Sequence, residues 1–266
     1  MNRMTALLKY EWKNGIKSLL IWALSVGGMG LFCILLFQSM EESMAGMAES
    51  YASMGTFSEV FGMDTLSIAT IKGFFATEVG TIHALGSSMF AASIATVILS
   101  KEEDGHTAEF TYTLPVSRGK VIFVKFASVI VNLILFTAIC AILYQIGFWV
   151  IGDSEMGKDF ILFMLAQLLM NVEIASIGFL ISSVSQKNKV GIGIAMAMVL
   201  YVYDLMARVI PDLENVKFLS PFSYGNAAEI FSNTWDASPA LWFGIAITVV
   251  LTFLAGLIYN KRDLAS

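Results

Sequence analysis

VIFVKFASVIVNLILFTAICAILYQIGFWVI, residues 121–151, is the stretch on which the fold turns. It holds one charge, Lys125, and otherwise offers no polar stripe to turn toward water. Roughly 20 such residues cross a hydrocarbon layer ~30 Å thick at about 1.5 Å per residue, so this run can span and also tilt or protrude. The alternation of a barrel strand is absent, and a helix satisfies its own backbone in lipid. Comparable runs recur at about 18–37, 80–99, 160–184, 190–210 and 240–259. They give a chain that is 57% hydrophobic and 14% charged, with mean hydropathy +0.74, where soluble domains hold roughly 45–50% and about 25%. The expectation is an all-α polytopic membrane protein, with six transmembrane helices in one domain over residues 1–266.

Outside the spans, residues 1–17 place Met4, Leu7, Leu8, Trp12 and Ile16 three and four apart, with Lys9, Lys13 and Lys17 between them. That spacing predicts an amphipathic helix lying in the interface, or a basic lead-in to the first span. It does not have the form of a cleavable signal peptide. Residues 38–79 and 211–239 are expected as outer loops. Of the 16 Lys and Arg residues, only Lys72, Lys158, Arg208 and Lys217 fall on the outer side of this arrangement. The positive-inside rule then puts both termini in the cytoplasm of a multi-pass plasma-membrane protein. Gly27 and Gly28 in the first span, and Gly191 and Gly193 in the fifth, let helices approach closely and suit a subunit interface.

Between the second and third spans lies KEEDGHTAEFTYTLPVSRGK, residues 101–120, the one long polar passage on the inner side. Glu102, Glu103 and Asp104 suit a helix N-terminus, where acidic side chains oppose the dipole. Phe110 and Leu114 would share one side of a short helix that Pro115 ends. Such a helix, tied at both ends to spans, can pass motion between a soluble partner and the membrane. The stretch resembles the signature of ABC-2 type permeases, the membrane subunits of ATP-driven exporters, at Glu102, Glu103, Gly105, Thr107, Leu114, Pro115, Val116, Ser117, Arg118 and Lys125. It departs where His106 parts Gly105 from Thr107, and where Phe110 and Tyr112 interrupt the usual leucines.

The resemblance runs the length of the chain. It implies that residues 101–120 carry a cytoplasmic coupling helix seated in an ATPase subunit, with Lys187 and Lys189 of the other inner turn beside it. It also implies a second permease subunit, identical or related, and a cargo among peptides, drugs, lipids or glycans. ATP and magnesium would be held by the partner, so neither a cofactor nor a catalytic residue is expected in this chain. One near-match to a phosphate loop, from Gly152 to Lys158, is followed by Asp159 where Ser or Thr must hold magnesium, and it falls on the expected outer face.

Glu173 and Asp204 lie within expected spans, where a carboxylate costs on the order of 2.5–3.5 kcal/mol and marks either a transport path or a buried partner. Asn132, Gln145 and Asn171 are amides that such carboxylates could meet, and Asn132 joins Glu173 and Asp204 as a candidate for the path. His83 and His106 are too few for a metal cluster, and Cys33 and Cys140 sit in apolar runs as packing residues. The scattered methionines of residues 40–63 suit apolar packing. A net charge of −5 speaks against a nucleic-acid partner; membrane lipid is the surrounding one. Two further functions stay open: an ion-coupled secondary transporter with Glu173 and Asp204 as proton carriers, and a non-transporting membrane sensor or immunity protein.

Overall fold

A computed structural model describes residues 3–107, 117–153, 156–236 and 238–262, and every regular element among them is helical. The first helix, α1, runs unbroken over Arg3–Ala52. Of the two readings of residues 1–17, the unbroken helix agrees with a lead-in continuous with the first span. Ala, Leu, Met, Lys and Glu dominate this stretch and no proline interrupts it, so nothing local stops the helix. Its first turns rest on protein, with Leu7 packing against Val121 and Val124. Past residue 37 it continues as an exposed helix, so residues 38–52 of the expected outer loop are helical as well.

After α2, Thr56–Phe61, the chain crosses the bundle earlier than residue 80. Helix α3, Ile71–Phe74, a π turn, Phe75–Val79, and α4, Gly80–Ala95, follow one another directly. Thr70 Oγ1 caps the start by accepting from Gly73 N at 3.1 Å. A Cβ on Gly73 would stand 2.1 Å from Ser67 O, so the close approach of the preceding loop requires glycine there. The π turn points Phe75 into the core. Its ring meets Tyr144, Phe148, Phe160, Phe163 and Phe231 edge-on, with centroids 5.3 to 5.9 Å apart.

The remaining helices are α5, Lys101–Asp104, α6, Arg118–Ile151, α7, Gly157–Val184, α8, Val190–Val209, α9, Pro211–Glu214, α10, Ala227–Phe231, and α11, Ser238–Lys261. Among the described residues, five helices are long and apolar enough to cross a membrane: Leu7–Ala52 of α1, α6, α7, α8 and Pro239–Lys261 of α11. The run through α3 and α4 is not among them, because the π turn divides it and α4 alone has 16 residues. Helix α7 is the centre, packed by α4, α6 and α11, while α1 lies along α6 and α8 along α4. The rim helices turn Val199, Trp242 and Phe253 outward, a face suited to hydrocarbon.

Long-range pairs mark two ends. At one, Lys72 meets Asp159 at 3.4 Å and Arg208 donates to Val60 O at 3.0 Å. At the other, Lys101 pairs with Glu11 and Arg262 with Glu103. The α3–α4 run starts at the Lys72 end and delivers the chain to the Lys101 end.

The expected outer loop 211–239 is no loose loop. Residues 220–231 are buried apart from Glu229. Non-helical backbone at this depth needs partners from the protein, and it has them. Gln167 Nε2 donates to Gly225 O at 2.7 Å, Trp235 Nε1 donates to Tyr224 O at 2.9 Å, and Asn226 Oδ1 caps α10 by accepting from Ala228 N at 3.1 Å.

Phe75→Ala empties the centre of the aromatic cluster and is expected to lower unfolding free energy by about 3–5 kcal/mol, whereas lipid-facing Phe253→Ala should stay within about 1 kcal/mol. Thermal unfolding of the two variants in one detergent checks the contrast.

Candidate functional site

Where α4 ends, the backbone of residues 98–100 has left one helix without yet entering the next, and its polar groups need partners. Three other helices supply them. Lys125 Nζ of α6 donates to Ile98 O at 2.7 Å. Ser182 Oγ of α7 accepts from Leu99 N at 2.9 Å and Ser100 N at 3.3 Å. Tyr259 of α11 donates its hydroxyl to Leu99 O at 3.1 Å.

The single turn of α5 then carries Lys101, Glu102 and Glu103 into the same place. Glu102 is 2% exposed and Glu103 4%, so both carboxylates are turned into the chain. Glu102 accepts from Lys125 Nζ at 2.5 Å. Lys125 is wholly buried and also donates to Glu11 Oε1 at 3.2 Å, while Lys101 pairs with the other oxygen of Glu11. Glu103 pairs with Arg262. Two ammoniums thus balance two carboxylates in the Glu11, Lys101, Glu102 and Lys125 set, and the Glu103–Arg262 pair is neutral by itself. Paired and hydrogen-bonded charges are the form in which burial is tolerated.

Arg262 also ties the second turn at this end to the first, donating NH1 to Ser185 O at 2.7 Å with its guanidinium 5.1 Å from the Tyr259 ring centroid. Arg118 donates to the carbonyls that close α11, Arg262 O at 2.9 Å and Asn260 O at 3.4 Å, as basic side chains do at helix C-termini. Lys187 is exposed and Lys189 half-buried on the turn so held. After α5, Thr107 N returns to Glu102 O at 2.8 Å. His106 takes the left-handed conformation at φ 52°, and Gly105 does not. Phe110, Leu114 and Pro115 lie outside the described residues, as does the short helix expected there.

The intramembrane carboxylates lie elsewhere and apart from each other. Asp204 is fully buried and bonded to Arg208, whose Nε donates at 2.9 Å and NH2 at 2.5 Å. It holds a cation that in turn grips the carbonyl of Val60, so it joins α8 to α2. Glu173 accepts from the Tyr224 hydroxyl at 2.8 Å. A Cβ on Gly244 would lie 2.4 Å from its Oε2, so that glycine lets α11 close over the carboxylate. Asn132, by contrast, is at the Lys101 end, on a cavity of about 320 Å³ that Glu11, Trp22, Ser93 and Lys101 also line.

Two of the four glycines assigned to a subunit interface pack within the chain. A Cβ on Gly27 would meet Leu143 at 2.7 Å, and one on Gly193 would meet Thr96 at 2.8 Å. Gly28 and Gly191 have open space. Small residues mark close approach, but not whose helix approaches.

Sequence reasoning missed Glu11, Arg262 and Tyr259, and gave Lys125 no structural role. A signal was there: Lys125 is the lone charge of its apolar run and Glu11 the one acid among the basic residues before the first span. A charge isolated in an apolar setting implies a partner.

Two comparisons bear on this geometry. The family model described as ABC-2 family transporter protein matches residues 5–264. No curated protein matches the chain.

Lys125→Met leaves Glu102 buried without a counter-charge and takes one of two cations from Glu11, and it is expected to cost about 3–5 kcal/mol. Adding Glu11→Gln and Glu102→Gln should recover most of that loss, because no buried carboxylate then lacks a counter-charge and Lys101, with its side chain 23% exposed, reaches water. Unfolding midpoints of the single and triple variants in detergent decide this.

Proposed function

We propose, on the premise that the chain belongs to the ABC-2 transporter family, that its Lys101 end is where a separate ABC ATPase docks and drives the bundle. The chain is a permease of an ABC-type transporter and a multi-pass membrane protein. The observation that carries the proposal is the fastening of residues 98–103 to four other helices. Motion imposed on that segment passes to α1 through Glu11, to α6 through Lys125, to α7 through Ser182, and to α11 through Tyr259 and Arg262.

In this reading Glu102 and Glu103 hold the segment in place, and docking falls to what the same end exposes: Asp104, Thr107, Lys120, Lys187 and Lys261, with half-buried Lys189. Phe110, Leu114 and Pro115 keep a place on that face by the family resemblance. The α3–α4 run is the second of six crossings, so both termini lie on the ATPase side, the cytoplasm, of a plasma membrane. A second permease subunit completes the transporter, with Gly28 and Gly191 on faces open to it. The ATPase binds ATP and magnesium and performs the hydrolysis. The cargo is amphipathic, and Asn132 and Glu173 are its candidate contacts; Asp204 is occupied by Arg208.

The test is recovery of the co-expressed ATPase on the tagged permease. Lys187→Glu with Lys189→Glu should lower recovery about tenfold, the loss of roughly 1.4 kcal/mol of charge complementarity, without moving the unfolding midpoint. Full recovery from that variant, or no recovery on the unaltered chain, overturns the docking assignment.

A further inference from the structure

Beside the contact of α1 with α6 lies a groove of about 330 Å³ walled by Leu8, Lys9, Trp12, Ser128, Val131 and Asn132. It shares Ser128 and Asn132 with the cavity of about 320 Å³ behind it. Most of its wall is apolar, yet Asn132, which stands between the two, has an unused acceptor. Asn132 is 8% exposed, and its amide nitrogen donates to Ser128 O at 2.8 Å. That bond fixes which way the amide lies and leaves Oδ1 as an acceptor with no partner among the described residues. On the α1 side it meets Gly15, which brings no side chain over it; a Cβ there would press on Oδ1 at 3.3 Å.

Cations stand at the mouth. Lys9 lines the groove, and Lys13 follows one turn later on the same face of α1. Both are exposed, and neither has an ion partner among the described residues. Exposed Leu8 and Trp12 sit among them. The groove thus offers positive charge at its rim, a hydrogen-bond acceptor within, and an apolar wall between.

We propose that this groove binds one anionic phospholipid whose headgroup carries a hydroxyl, of the phosphatidylglycerol kind. The phosphodiester lies against Lys9 and Lys13, the headgroup hydroxyl donates to Asn132 Oδ1, and the glycerol and first acyl carbons run along Leu8, Trp12 and Val131. The occupant is a lipid and not free phosphate, because the cations adjoin apolar wall on helices long and apolar enough to cross the membrane. Juxtamembrane lysines draw anionic lipid in the same way. The site needs no ATPase, so it stands or falls separately from the docking assignment.

The experiment uses the purified full chain in phosphatidylcholine nanodiscs containing a minor fraction of photoactivatable phosphatidylglycerol. Mass spectrometry maps the labelled residues and counts the lipid retained. Labels should gather on residues 8–15 and 128–132. Lys9→Glu with Lys13→Glu should cut retention tenfold or more, at about fivefold per lysine. Lys261→Glu, exposed at the same end outside the groove, should leave retention unchanged. Phosphatidylmethanol, anionic but without a headgroup hydroxyl, should bind about fivefold more weakly to the unaltered chain, and Asn132→Leu should abolish that difference. The proposal is overturned by labelling spread evenly around the bundle, by equal losses in Lys261→Glu, or by equal retention of phosphatidylcholine. Equal binding of phosphatidylmethanol overturns the role of Asn132 without recourse to any variant.

Discussion

A buried ammonium is the constraint on which the Lys101 end depends. Lys125 is wholly removed from solvent, and its three donors go to Glu11, Glu102 and the carbonyl of Ile98. Those partners belong to α1, to α5 and to the turn after α4, so one nitrogen fixes three segments against α6. An ion placed this deep is stable only if its partners are in position, because each charge left alone costs several kcal/mol. The set therefore tolerates little relative displacement of the segments it joins. Arg262 plays the corresponding part for Glu103 and the turn at Ser185, and brings α11 into the same assembly.

The Lys72 end is built differently. Its centre is the ring of Phe75, placed by a π turn and met by five aromatic side chains. Around it, in the buried segment 220–231, the carbonyls of Gly225 and Tyr224 accept from Gln167 and Trp235. Packed rings and neutral hydrogen bonds have low desolvation costs, whereas the ion set at the other end is costly to disturb. The Lys72 end thus centres on packed rings, with the Lys72–Asp159 and Asp204–Arg208 pairs beside them, and the Lys101 end centres on a buried ion set. The second adjoins a group of exposed cations, Lys120, Lys187 and Lys261, through which a soluble partner of opposite charge can be engaged.

The sequence by itself determined the helical membrane class and the family. Hydropathy is a sum over neighbours, so residues 121–151 announce a membrane helix whatever surrounds them. The signature between Glu102 and Lys125 is equally local. What the sequence left open was whether residues 1–17 lie in the interface or lead straight into the first span. Amphipathic spacing predicts which face of a helix is apolar, but it does not say whether lipid or α6 covers that face.

Tertiary structure alone decided the rest, because each deciding contact joins residues far apart in the chain. Glu11 finds Lys125 across 114 positions and Glu103 finds Arg262 across 159. No window of sequence contains both partners. For that reason Glu102 and Glu103 find their cations inside the chain, and residues 220–231 of a polar stretch are buried apart from Glu229. Gly27 and Gly193 turned inward for the same reason. Composition limits which side chains can be buried, and only the packing of helices determines which charges they meet there.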